Sequence, residues 1–237
     1  MIVISQNQIL FLGILVFIFI RACILNEDKK NAVLFGKTKK AYSFDNFIFD
    51  LFCIYLIGVA SKIYFPLEFA WGNELHYNMP KIWLRPIWSL MEIYKAGGAS
   101  GLIYQVVGNS IILTPMAFFL CYFNQNSLLY QRGNKIICII NKFWKNGFSI
   151  NFSKKLNLKD IIKICFVIAL FMETSQLVLS LVIPNTARFF EINDIILNTM
   201  SGVWGYYLFY IFTDVRRILL SNYGSYIDKR TKKNIRA

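Results

Sequence analysis

Long apolar runs separated by polar, charge-bearing stretches divide the chain into blocks at 8–25, 47–65, 102–123, 160–183 and 194–215. At about 1.5 Å of rise per residue, roughly 20 apolar residues in a helix cross the hydrocarbon core of a bilayer, and each backbone hydrogen bond is then made inside the segment. The pattern predicts an all-α integral membrane bundle of five transmembrane helices in a single membrane domain, 1–237. The first run begins without a basic residue and ends in Asn26-Glu27-Asp28 instead of a small-residue cleavage site, so it reads as an uncleaved span and not a signal peptide. Pro66 ends the second run, and Pro184-Asn185 stops the fourth. Pro115 lies near the middle of the third, where a kink is tolerable only if neighbours satisfy the freed carbonyl.

Between the second and third runs, Ile82 to Tyr94 is apolar but too short and too interrupted to cross. With Trp71, Trp83 and Trp88 around it, the pattern predicts an interfacial segment between helices 2 and 3. Lys95, Gly97, Gly98 and Gly101 then release the chain into the third span.

Charge orients the bundle. Lys29, Lys30, Lys37, Lys39 and Lys40 follow the first span, seven basic residues from Arg132 to Lys159 follow the third without an acid, and Arg216 and Arg217 open a basic tail after the fifth. Five alternating spans put all three clusters on one side. Because basic loops stay in the cytoplasm, the N-terminus is expected outside and the C-terminus in the cytoplasm of a multi-pass cell-membrane protein. Ile136 to Trp144, inside the most basic loop, reads as an amphipathic surface helix on anionic lipid.

Composition agrees: 56% of the 237 residues are hydrophobic and only 16% charged, too apolar for an ordinary soluble domain. The net charge of +13 would otherwise point to nucleic acid, but no basic stretch is long and free of spans, so membrane lipids are the expected partner. The five cysteines have no CxxC spacing, and His76 is the single histidine. This excludes HExxH and three-histidine zinc sites within one chain, and neither metal nor cofactor is expected. A triad using His76 as base is not removed by counting alone. No internal repeat is visible.

The polar positions within the apolar runs carry the candidate chemistry. Glu173, Gln176 and Ser180 are spaced three and four apart in the fourth run and share one helix face; Asp194, Asn198, Gly202 and Gly205 share one in the fifth. Arg188 lies in the turn between them, and Asn109 falls at similar depth in the third run. All converge on the outer half of the bilayer, in a wedge expected to open outward. Each has a plainer reading as well. Asp194 suits a helix start, Gly202 and Gly205 suit close packing, Asn109 can join helices, and Arg188 can anchor at head groups. Glu173 stands apart, because an ionised carboxylate at mid-bilayer costs on the order of 3 kcal/mol. Its plainer reading is an internal pair with Arg188 or a hydrogen-bonded cap from the Asn198 amide.

The pattern Glu173-x-x-Gln176, Arg188, Asp194 and Asn198-Thr199-x-x-Gly202-x-x-Gly205 resembles the VanZ-like family of small membrane proteins associated with teicoplanin resistance. Gly108-Asn109 with Pro115 and Phe118 resembles the family's Asn-x(5)-Pro-Leu-Gly-Phe span, and Pro86 with Trp88-Ser89 resembles its Asn-Leu-Ile-Pro-Phe segment. The resemblance covers about 47–212. There are departures: the family's Asp-Ile-Asp-Asp is here Glu191-Ile192-Asn193-Asp194, its Pro-Leu-Gly-Phe is Pro115-Met116-Ala117-Phe118, and Trp83 replaces its asparagine before Ile-Pro.

The resemblance implies reduced susceptibility to teicoplanin. With the wedge, it points first to non-catalytic binding or modulation of an amphipathic envelope ligand in the outer leaflet, a lipoglycopeptide or a lipid-linked envelope precursor. Glu173, Gln176, Arg188, Asp194, Asn198 and Asn109 are the candidate ligand-binding residues. An intramembrane enzyme acting on a lipid-linked precursor is the alternative, with Glu173 as acid or base and Arg188 as a phosphate clamp. Against it, no nucleophile constellation or metal motif is visible. A transporter is disfavoured by the missing inverted repeat and by polar residues crowded into one half of the membrane.

Overall fold

The structure is a computed structural model and describes residues 2–34, 44–69, 81–125, 155–183, 185–186 and 188–235. A short strand, β1 (Ile2–Ile4), leads into α1 (Gln6–Leu34), and α2 (Phe44–Tyr64) is followed by β2 (Leu67–Phe69). Next come β3 (Lys81–Trp83), α3 (Trp88–Ile112), α4 (Thr114–Gln125), α5 (Leu158–Val182), β4 (Phe189–Glu191) and α6 (Ile192–Ile235). Five helical stretches are long and apolar enough to cross a membrane: Gln6–Asn26, Asn46–Tyr64, Trp88–Gln125, Leu158–Val182 and Ile192–Ser221. The chain is thus a helical membrane protein. His76 and the Ile136–Trp144 segment lie outside the described residues.

The helices start and stop for local reasons. Asn157 and Asp160 form a reciprocal cap at the head of α5: the Asp160 N–H donates to Asn157 Oδ1 at 3.0 Å and the Asn157 N–H to Asp160 Oδ2 at 3.2 Å. The third span breaks at Leu113, between α3 and α4, just before Pro115. Neighbours satisfy the interrupted backbone there. The Tyr55 hydroxyl donates to the Ile112 carbonyl at 2.7 Å, and the Leu113 N–H donates to Ser201 Oγ at 3.0 Å.

Helix α6 is the packing centre, lying against α3, α4 and α5, whereas α1 runs beside α2 with none of its apolar window buried. Small residues permit the close approach of α6. A Cβ at Gly205 would fall on the Thr114 carbonyl oxygen and 2.7 Å from Ala117 Cβ, and one at Gly202 would lie 2.9 Å from Cys165 Cβ. Beyond this contact Phe118 meets Phe209 and Phe212 edge-on, at 6.0 and 5.4 Å between ring centres.

Two short pairings tie one end of the bundle together. β1 and β2 are antiparallel with Val3 opposite Glu68, while β3 and β4 are parallel with Ile82 opposite Phe190. The Glu68 N–H donates to Thr186 Oγ1 at 3.2 Å, joining the end of α2 to the α5–β4 turn. These strands depart from the all-α expectation. They cap the bundle where chain segments leave the helices, and three residues apiece are too few to give an alternating pattern.

The segment expected to lie at the interface is divided. Its first residues form β3, and from Trp88 onward it is helical, as the part of α3 that precedes a kink at Gly98, where φ is 63° and ψ is −160°. Glycine alone takes that backbone without strain. The last helix also runs past its apolar stretch, as α6 continues into the basic tail as far as Ile235.

Candidate functional site

At the strand-capped end, α3, α5, β4 and α6 bring three carboxylates together. Asp194, in the first turn of α6, is held by two amides one turn apart on α3. Gln105 Nε2 donates to both carboxylate oxygens, at 3.0 and 3.1 Å, and Asn109 Nδ2 donates to Oδ1. Charge-assisted bonds of this kind fix the carboxylate more firmly than neutral ones. Glu173, 3% exposed, accepts the Glu191 backbone N–H on Oε2 at 3.1 Å. The charges of Glu191 and Asp194 both act on it. Among the described residues neither Arg188 nor Asn198 bonds Glu173, so a backbone N–H takes the place that the sequence reading gave to those side chains.

Arg188 and Gln176 instead turn toward the end of α2. Gln176 Nε2 donates to the Ile63 carbonyl at 3.0 Å and Arg188 Nη2 to the Pro66 carbonyl at 3.4 Å. Ser180 joins them, its hydroxyl set between the carbonyls of Gln176 and Arg188 at 3.1 and 3.4 Å. Burial holds the Arg188 guanidinium below its ordinary pKa. Five of the six candidates thus fall into two adjoining groups. Asn109, Glu173 and Asp194 form an acidic, amide-lined group, and Gln176 and Arg188 form a donor group facing backbone carbonyls. Asn198 lies one turn below Asp194, 2% exposed, with no partner for Oδ1 among the described residues.

Four residues outside the six complete the site. Glu191 is 7% exposed, and burial raises its pKa, opposed by a hydrogen bond with Ser89; its Oε2 has no partner among the described residues. Asn193 donates to Ser89 Oγ at 2.7 Å and accepts the Ile87 N–H at 3.1 Å, pinning the turn before α3. Ile87 there has φ 71°, an uncommon left-handed conformation for a β-branched residue. Gln105 is the member that sequence spacing could have supplied, since it stands four residues before Asn109 on the same face of an apolar helix. In the β3–α3 turn and the first turn of α3, Leu84, Ile87, Trp88 and Met91 are all more than half exposed. No set of three His, Cys, Asp or Glu side chains among the described residues is arranged to hold a metal ion.

No curated protein and no solved structure matches the chain. A family model does: the one described as VanZ/LLP1 matches residues 52–213, more than half of the sequence, and takes in every candidate residue above. The chain belongs to the VanZ/LLP1 family.

Proposed function

We propose that this protein binds or modulates an amphipathic ligand of the cell envelope without chemical turnover, at the strand-capped end of the bundle in the outer leaflet. The ligand class is a lipoglycopeptide of the teicoplanin type or a lipid-linked envelope precursor, and the consequence is reduced susceptibility to the antibiotic. The orientation that goes with this reading has the N-terminus outside and the C-terminus in the cytoplasm of the cell membrane.

One observation carries it. A polar group built from Asp194, its two amide donors, Glu173 and Glu191 adjoins the β3–α3 turn, whose Ile87 N–H is bonded by Asn193 and whose Leu84 and Ile87 side chains are exposed. A polar group joined to an exposed apolar turn matches the two parts of an amphiphile. Lys62 is a cation whose charge reaches Asp194, but no ion pair joins a described cation to Glu173, Glu191 or Asp194. The group therefore suits a head rich in hydrogen-bond donors.

Expression in a teicoplanin-susceptible host tests the reading. The parent chain is expected to raise the inhibitory concentration, and Arg188→Ala and Asp194→Ala are each expected to abolish most of that rise. Variants present in the membrane at the parental level that protect as well as the parent would remove the site from the function.

A further inference from the structure

The bundle has a recessed feature at its other end, formed by the last turns of α4 and the last turns of the α6 apolar stretch. A cavity of about 240 Å³ lies there, with Tyr122, Phe209 and Phe212 forming apolar walls and Arg216, Arg217 and Leu220 among its other lining residues. Tyr122 and Phe209 are each 2% exposed, whereas both arginines are exposed, so the aromatic surface lies deep and the guanidinium groups lie at the mouth.

We infer that this cavity is a binding site for the head group of an anionic phospholipid from the adjoining leaflet. Three features fix that occupant. First, the charge at the mouth is positive and partly uncommitted. Arg217 pairs with Asp214 at 2.8 Å, while Arg216 has no ion pair among the described residues and stands 5.6 Å from the centre of the Phe44 ring. Lys155 adds a further cation at this end, 4.8 Å from the Tyr210 ring. Planar guanidinium groups match a phosphodiester with paired donors.

Second, the depth fits a head group. Arg216 and Arg217 lie in the last turns of the Ile192–Ser221 stretch, where guanidinium groups reach the boundary between hydrocarbon and water. Third, the aromatic walls of Tyr122, Phe209 and Phe212, with Gln125 and Thr213 beside them, continue outward through Leu220, which is 61% exposed. A free phosphate ion would leave that surface unused, whereas a lipid lays its glycerol and first methylenes along it. The site is separate from the acidic group at the opposite end, and the inference does not depend on which end faces the cytoplasm.

Purified protein in nanodiscs of phosphatidylglycerol and phosphatidylcholine provides the test, with protein-bound lipid counted by native mass spectrometry. The parent is expected to retain phosphatidylglycerol in preference to phosphatidylcholine. The double variant Arg216→Ala/Arg217→Ala should lose that preference about tenfold or more. Leu220→Asp, a change at an exposed position, should lose it too while keeping the parental melting profile. Lys159→Ala, an exposed cation at the same end but outside the cavity, should keep it. Equal retention of the two lipids by the parent, or undiminished preference in both cavity variants, would overturn the assignment. So would displacement of the bound lipid by inorganic phosphate, which would show that the anion alone is recognised.

Discussion

At the scale of single residues, the site is governed by how buried carboxylates are satisfied. Asp194 gains two amide donors and Glu173 one backbone N–H, but Glu191 is buried with one oxygen unpartnered among the described residues. Burial raises the Glu191 pKa, which means that the folded state holds its proton more tightly than the unfolded chain does. Its contribution is therefore harmless below the ordinary carboxylate range and becomes destabilising as pH rises through the raised value. Glu191→Gln removes the charge. The variant is expected to melt higher than the parent at about pH 8, with the difference closing by about pH 4. Melting curves that stay parallel across that range would show that Glu191 is not the titrating group. Sequence pointed to Glu173 and Asp194 because each is costly in an apolar run. Gln105 was within reach of the same spacing argument that gave Asn109, four residues on, whereas the role of Asn193 emerges only when Ser89 and Ile87 from another part of the chain are placed beside it.

At the scale of elements, the five apolar runs were legible because bilayer thickness imposes their length, and the small residues of α6 were legible as packing positions. Less legible was how closely the helices meet and which partners close the break. Pro115 marks the break next to Leu113, but the Tyr55 and Ser201 side chains that satisfy its backbone come from two other helices, and no local pattern supplies them. Gly205 shows what the approach demands, because its missing side chain is replaced by the Thr114 carbonyl and Ala117. Gly205→Ala is expected to destabilise the bundle by about 1–3 kcal/mol, the cost of forcing an extra carbon into a packed contact. Gly58 supplies the comparison: a Cβ there meets nothing within 4 Å, so Gly58→Ala should leave stability unchanged or raised. Thermal melting of the two variants in detergent separates the cases. Equal midpoints would mean that α4 and α6 do not approach as closely at Gly205 as described.

At the scale of the whole molecule, the strand pairings tie distant parts of the chain to one end. β1 at the N-terminus pairs with β2 after α2, β2 is linked to Thr186, and β3 pairs with β4 just before α6. Asn7, in the first turn of α1, and Arg85, just after β3, are then expected on one side of the membrane, with Lys159, at the head of α5, on the other. Sequence predicts an alternation of spans by a different route, from basic loops that the membrane potential and anionic lipids keep inside. Charge supplies the direction that geometry lacks, and geometry supplies the common end that charge only implies. Single cysteines at these positions, in a background with the native cysteines replaced by serine, test both. In intact cells a membrane-impermeant maleimide is expected to label Asn7→Cys and Arg85→Cys, and Lys159→Cys only after permeabilisation. The reverse labelling would keep the fold and invert the orientation, moving the acidic group to the cytoplasmic leaflet and ending the case for an outer-leaflet ligand. Labelling of Asn7→Cys and Arg85→Cys from opposite sides would break the β1–β2 end of the bundle itself.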